Sequence, residues 1–227
     1  MSRFLRISLL PCLFIWPAFP PLHAEEGWIE LFDGGTTAGW KMNADEGAVQ
    51  IVDEALRLQA TDSKNRGHLF YVGEDEELDL FRDFELEAVV RGEANANSGI
   101  FFHTDLETRD KVLHLANGYE VQLNFKPNAK QQTGSLYDVI PLLETPVKEG
   151  EWFTVRVRVE GKRIQVWLND AEVIDYTEPE NVLETRSEKR KGRVLREEGG
   201  AIALQAHDEE SVFYFRSVRI RRLDGTD

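Results

Sequence analysis

Residues 152–177, WFTVRVRVEGKRIQVWLNDAEVIDYT, alternate apolar and polar side chains with a period of two. That period belongs to strands, whose successive side chains point to opposite faces. Glu160-Gly161-Lys162 predicts a tight hairpin between strands at 152–159 and 163–168, because glycine tolerates positive φ. Asn169-Asp170 predicts the next hairpin turn, ahead of a strand from Glu172 to Tyr176. Val155, Val157 and Val159 then share one face, and Arg156 and Arg158 the other. Such a three-stranded antiparallel unit has one face buried and one wet.

The same reading extends outward in both directions. Strands are predicted near 28–33, 47–52, 54–60, 67–72, 82–91, 97–104, 117–125, 199–207 and 210–222. Asp33-Gly34-Gly35 ends the first of them. No stretch keeps a helical period for three turns with caps. Two segments depart from the pattern. Residues 104–116 are polar and read as a loop or a short helix. Residues 178–198 are dense in charge and read as a solvated loop, with a partner site as the lesser alternative. There is no internal repeat and no low-complexity linker. About twelve strands without a break predict one all-β domain over 25–227, a two-sheet antiparallel β-sandwich. Trp28, Trp152 and Trp167 fall in strands and are expected in the core.

Composition narrows the function. The net charge is −14, which argues against a nucleic-acid partner and against adsorption to anionic lipid. A neutral sugar is indifferent to that charge. Arg3 and Arg6 precede an apolar run from Ile7 to Leu22, and Ala24 offers a cut site, so residues 1–24 read as a signal peptide. Pro11, Pro17, Pro20 and Pro21 make the run a poor membrane-spanning helix, although an uncleaved N-terminal anchor is the alternative. Cleavage would leave no transmembrane domain and a protein that is periplasmic or extracellular. It would also remove Cys12, the single cysteine, and with it any disulfide, thiol nucleophile or cysteine zinc site.

The chemistry concentrates in Asn117-Gly118-Tyr119-Glu120-Val121-Gln122-Leu123-Asn124-Phe125. Alternation puts Tyr119, Val121, Leu123 and Phe125 on a core face. Glu120, Gln122 and Asn124 share the other, each about 7 Å from the next. A carboxylate flanked by two amides can grip hydroxyls, because amides both donate and accept. An ordinary solvent-facing strand is the bland reading. Two neighbours weigh against it. Asn97-Ser98-Gly99-Ile100-Phe101-Phe102-His103 carries polar groups at its ends, and Ala201-Ile202-Ala203-Leu204-Gln205-Ala206-His207 places Ala201, Ala203, Gln205 and His207 on one face. That small-small-Gln-His face suggests a floor under a ligand.

Nine segments in order carry a family resemblance. They are Gly27-Trp28-Ile29-Glu30-Leu31-Phe32-Asp33-Gly34 with Gly39-Trp40, Phe84-Glu85-Leu86-Glu87, Asn97 to Phe102, and Gly118 to Gln122. Thr133-Gly134-Ser135-Leu136-Tyr137, Gly150-Glu151-Trp152, Leu168-Asn169, Ile202 to His207 and Val212 to Ile220 complete the series. The chain resembles the bacterial 3-keto-disaccharide hydrolase domain, also described as the 3-keto-glucoside 1,2-lyase/3-keto-2-hydroxy-glucal hydratase domain. The resemblance implies a concanavalin A-like jelly roll with a concave glycan-binding face, a carbohydrate substrate and, upstream, a sugar 3-dehydrogenase. It departs from the family pattern at His103, Ala206 and Asp208, where Arg, an acid and Gly are usual, and near Asn124, where an acid is common.

A C3 ketone acidifies the C2 hydrogen, so one base can start an elimination at C1 that water then reverses at the glycal. The resemblance gives Glu120 the role of base or metal ligand, and His207 that of acid or sugar-orienting group. Ser98, Gln122 and Gln205 would hold hydroxyls or the keto oxygen, with His103 and Tyr137 as second choices. A divalent metal ion on Glu120, His207 and Asn124 would stabilise an enediolate, although nothing in the spacing requires it. Three rival readings stay open. A non-catalytic carbohydrate-binding module would display Trp40, Tyr71 or Tyr137 as a stacking platform. A structural envelope domain would leave Glu120 and Gln122 in solvent. A two-acid glucanase would place Asp138 or Asp208 about 5–9 Å from Glu120.

Overall fold

The computed structural model describes residues 27–62, 66–187 and 191–223. The expected export segment, 1–24, lies outside them. The strands form two antiparallel sheets. The larger has eight strands. It runs β11 (Ala171–Thr177), β10 (Arg163–Leu168), β9 (Phe153–Glu160), β6 (Phe84–Gly92), β13 (Phe213–Arg222), β4 (Ala55–Leu58) and β3 (Val49–Val52). β1 (Ile29–Phe32) joins it by pairing with the distal half of β13, past an irregularity between Phe215 and Ser217. The smaller sheet has five strands, in the order β2 (Trp40–Met42), β5 (Gly67–Tyr71), β12 (Ala201–Ala206), β7 (Asn97–Thr104) and β8 (Tyr119–Asn124).

The predicted strands and hairpins are present. Glu160 faces Arg163, so the β9–β10 turn is Gly161-Lys162 alone, with Gly161 at φ 57°. Asn169-Asp170 links β10 to β11, with Asn169 at φ 52°. β2 was not foreseen, because three residues carry no readable period. The core lies between the sheets. Leu86, Ala88, Val90, Val155, Val157, Phe213 and Phe215 meet Ile100, Phe102, Tyr119, Val121, Leu123, Ile202 and Leu204. Phe102 stacks on Tyr119 at 5.8 Å and meets Phe84 edge-on at 5.9 Å.

The tryptophans correct one expectation. Trp28, Trp152 and Trp167 are half-buried; Trp167 lies on the outer face of β10, while Trp28 and Trp152 directly precede β1 and β9. Arginines lie over them: Arg219 and Arg221 over Trp28, Arg91 and Arg216 over Trp152, and Arg156 over Trp167. The rings are covered from solvent by guanidinium groups rather than packed between sheets. Trp40, a candidate stacking residue, is buried, and its indole N–H donates to the Leu31 carbonyl at 2.7 Å.

The two sheets differ in what they do with their outer faces. β9 buries alternate residues only, as a half-wet strand should. β8 and β12 are buried at every position. The outer face of the smaller sheet is therefore shielded too, although it carries polar side chains. Phe102→Ala should cost about 3–5 kcal/mol in denaturant unfolding. Trp152→Ala should cost on the order of 1 kcal/mol, as a partly exposed aromatic–cation contact does; equal losses would contradict the placement of the tryptophans.

Candidate functional site

The shielded outer face of the smaller sheet contains a cleft of about 240 Å³. Strands β7, β8 and β12 build its floor by register, with β5 alongside β12. Phe101 lies opposite Glu120, Gly99 opposite Gln122 and Asn97 opposite Asn124 across β7 and β8. Ala203 faces Phe101 across β12, and Gln205 faces His68 across β5. Loops supply the walls: Arg109, His114 and Leu115 from 104–116, Lys130 and Gln131 after β8, Tyr137, Arg193, and Arg66 before β5. The 104–116 segment is a loop, closed by a Thr108–Leu115 bridge and a 2.6 Å Asp110–His114 contact.

Among the described residues, Glu120 is the one carboxylate lining the cleft. It is only 5% exposed. The side chain lies across Gly99, where an added Cβ would sit 2.5 Å from Oε1. Arg193 approaches it, with Nη2 3.6 Å from Oε2. That is an ion pair but not a hydrogen bond. Burial pushes the Glu120 carboxyl up to about 7, and Arg193, then Arg66 and Arg109, oppose the rise. Burial likewise lowers the Arg193 guanidinium, against the pull of Glu120. For both partners desolvation outweighs pairing.

Arg193 comes from the charged segment read as solvated, and that reading fails here. The residue is 3% exposed. Its Nη1 donates to the Gly118 carbonyl at 3.2 Å, and its guanidinium lies over Phe101 and Tyr137. Gly192 before it packs so closely that a Cβ would stand 2.0 Å from the Ala116 carbonyl oxygen. The segment is anchored by Glu178, also buried, which accepts from the Tyr119 hydroxyl and from the Leu195 N–H.

A second polar group is ordered by a chain of hydrogen bonds with only one consistent direction. The Ser98 carbonyl can only accept, so Gln122 Nε2 donates to it at 3.1 Å and to Asn97 Oδ1 at 2.5 Å. Asn97 must then donate through Nδ2 to His207 Nε2 at 3.0 Å, where Arg66 also donates at 3.0 Å. His207 therefore carries its proton on Nδ1 and gives it to Asp208 at 2.7 Å. Burial and then Arg66 push the imidazole down to about 4, against Asp208. Burial raises the Asp208 carboxyl, but Lys126, Ser211 and His207 hold it well below the usual carboxylate range. A neutral His207 with both nitrogens engaged orients Arg66 and Asn97; it holds no proton to offer the cleft.

Glu120, Gln122, Asn124, Tyr137, Gln205 and His207 all line this cleft. Asn124 is engaged locally, donating to the Gln131 carbonyl at 3.2 Å and accepting from the Lys126 N–H at 2.9 Å. The Gln205 Oε1 is buried without a partner among the described residues, as is His68 Nδ1 beside it. Ser98 and His103 lie elsewhere. Ser98 shares the face of Ile100 and Phe102, and its hydroxyl donates to the Gln205 carbonyl at 2.7 Å. His103 is buried at φ 52°, its Nε2–H donating to the Arg82 carbonyl and its Nδ1 accepting from the Arg196 N–H, each at 2.9 Å. Asp138 and Asp208 are not among the lining residues. Nor do the residues suit a divalent cation: His207 Nε2 and Asn124 are engaged, guanidinium groups surround Glu120, and no three His, Cys, Asp or Glu converge among the described residues. Sequence reasoning missed Asn97, Arg66, Arg109, His68 and Arg193. Gly192 inside a charge run was the available signal for the last.

Gly99→Ala should destabilise the fold by about 1–3 kcal/mol in denaturant unfolding, because the new methyl meets the Glu120 carboxylate. In a Glu120→Ala background the same change should cost almost nothing. An equal cost in both backgrounds would contradict the contact.

Solved structures share this architecture. A proposed glycosyl hydrolase from Parabacteroides distasonis ATCC 8503 superposes with a TM-score of 0.70 at 21% identity, over 88% of this chain and 95% of that one. The carbohydrate-binding module CBM66 from Bacillus subtilis gives 0.53 at 16% identity, over 81% and 96%. The exoplasmic/lumenal domain of VIP36 in its Ca²⁺-bound form gives 0.60 at 13%, over 88% and 93%. At these identities the likeness is one of fold: an all-β, concanavalin-like jelly roll. No curated protein sequence matches the chain. Its sequence from residue 27 to residue 221 does match one family profile throughout, and the chain belongs to the 3-keto-alpha-glucoside-1,2-lyase-like domain family.

Proposed function

We propose that this carbohydrate-related protein cleaves 3-keto-glycosides in the Glu120 cleft. The observation that carries the reading is a buried carboxylate, the one lining the cleft among the described residues, which burial raises to about 7 beside a guanidinium that makes no direct hydrogen bond to it. A general base works best when its pKa lies near the working pH. Glu120 takes the C2 proton of a sugar whose C3 ketone acidifies it. The C2–H electron pair moves into the enediolate of the ketone, and Arg193 and Arg66 offer positive charge to that oxyanion. Re-formation of the carbonyl expels the C1 oxygen, which leaves as an alcohol with the proton that Glu120 has just taken from C2, so the base is restored. Water then adds across the C1–C2 double bond to give the free 3-keto sugar. Gln122 and the Gln205 side-chain Oε1, which has no partner among the described residues, hold the sugar hydroxyls on this reading. His207 serves as the orienting group for Arg66 and Asn97. On this reading the substrate comes from a sugar 3-dehydrogenase, and the protein works after export, in the periplasm or outside the cell.

The likeness to CBM66 and VIP36 favours a second reading, a lectin-like module. Against it, Trp40 is buried and Tyr71 packs on the core, so Tyr137 is the one expected stacking residue that lines the cleft. Incubating the protein with a 3-keto-glucoside and assaying released aglycone separates the two. Bound sugar with no release would leave only the module.

Glu120→Gln should lower kcat by about 10²–10⁴-fold with little change in KM. Because ionised Glu120 is the active form, kcat/KM should rise with pH through an inflection near 7. Arg193 opposes the rise in that pKa, so Arg193→Met should move the inflection to higher pH. A pH profile flat from 5 to about 9, or unmoved in the variant, would remove Glu120 from the base role.

A further inference from the structure

Among the described histidines, the ring nitrogens set one apart. His103 and His207 have both nitrogens engaged. His68 is fully buried and does not line the cleft. His114 does line it, from the 104–116 loop, with its side chain 31% exposed. One edge of its ring is fixed. Asp110 stands outside the lining residues and accepts from Nδ1 at 2.6 Å. The same carboxylate accepts from the Val112 N–H at 3.1 Å and the His114 N–H at 3.2 Å, so the loop itself sets the pair. Burial raises the Asp110 carboxyl, but these His114 and Val112 hydrogen bonds hold it below the usual range. An ionised carboxylate only accepts, so Nδ1 carries the ring proton and Nε2 keeps its lone pair. Nε2 has no hydrogen-bond partner among the described residues. Burial, then Arg66 and Arg109, hold the imidazole below its ordinary value against the pull of Asp110, which keeps it neutral at neutral pH.

A neutral imidazole with one nitrogen tied to a carboxylate and the other open to a cleft is built to take a proton. Arg66 and Arg109 act on both His114 and Glu120, so the two groups border one volume. They differ in access: Glu120 is only 5% exposed on the floor, whereas His114 stands in the wall, where water enters. We propose that the Asp110–His114 pair is the base of the second half-reaction, with Nε2 activating the water that adds to C1 once the alcohol has left. The inference rests on the 3-keto-glycoside reading for the identity of the intermediate. Nε2 takes one proton from water as the water oxygen bonds to C1. The C1–C2 double-bond pair moves to C2–C3, and the C3 oxygen carries the charge as an enediolate. The imidazolium, steadied by Asp110, then gives its proton to C2 and the ketone re-forms. One water has supplied the hydroxyl on C1 and the hydrogen on C2, and the pair ends as it began.

The test follows the two half-reactions separately. One assay measures aglycone released from a 3-keto-glucoside; the other measures loss of the enone absorbance of isolated 3-keto-2-hydroxy-glucal as water adds. His114→Gln should slow hydration by about 10²-fold or more and aglycone release by less than about tenfold, so that the enone accumulates from the glucoside. Asp110→Asn keeps acceptors for the Val112 and His114 N–H groups but offers an amide N–H to Nδ1, which moves the ring proton to Nε2. It should slow hydration by a similar factor, which a purely structural role for the carboxylate would not predict. Equal losses in both assays would overturn the proposal, and so would hydration at the wild-type rate in either variant, or no hydration of the glucal by the wild-type protein. Hydration that depends on His114 without any release of aglycone would count against the cleavage reading alone.

Discussion

A carboxylate taken out of water on the second face of a sheet sets the terms for everything around it. Strand β8 sends Tyr119, Val121 and Leu123 into the core, so Glu120, Gln122 and Asn124 must point away from it. In most antiparallel sheets that face meets solvent. Here it is only 3–9% exposed at these three residues, so their polar groups need partners or a ligand. Gly99 opens the space in which the carboxylate lies, and Arg193 supplies charge without closing a hydrogen bond.

The arginine arrives from a distant part of the chain, and its delivery depends on the core side of the same strand. Tyr119 reaches through the core edge to Glu178, which also holds the Leu195 N–H. The two faces of β8 are thus coupled: the inward tyrosine fastens the segment whose arginine returns to the outward glutamate. On the opposite wall, the fixed direction of the Gln122–Asn97–His207–Asp208 chain settles the histidine tautomer. An imidazole in this state is a support for its donors.

The fold was legible because strands advertise themselves by a period of two, as in 152–177, and because Gly161 and Asn169 mark turns that need positive φ. Alternation also carried half of the site, since the outward residues of β8 and β12 could be read off directly. It failed in three physical situations. Tryptophans in or beside strands look like core until the arginines that cover them are placed by the fold. Hydrophilic runs such as 104–116 and 178–198 have no period, so alternation marks neither Arg109 nor Arg193 as part of the site, and Gly192 is the one local cue to the second. His68, inside the short run Gly-His-Leu-Phe-Tyr, and Asn97, at a strand end, matter only through cross-strand register with Gln205 and Asn124. Ser98 shows the converse: it was singled out as a polar group in an apolar strand, yet its hydroxyl ties β7 to β12 on the core side.

The central claim concerns one ionisable group, and it can be observed without a substrate. Carbon-13 NMR of the glutamate side-chain carboxyls, with the Glu120 resonance assigned by its absence in Glu120→Gln, gives the titration directly. A midpoint near 7 is the expected result. A midpoint at the ordinary value of about 4.3 would mean a hydrated carboxylate, and the base at the centre of this site would be lost.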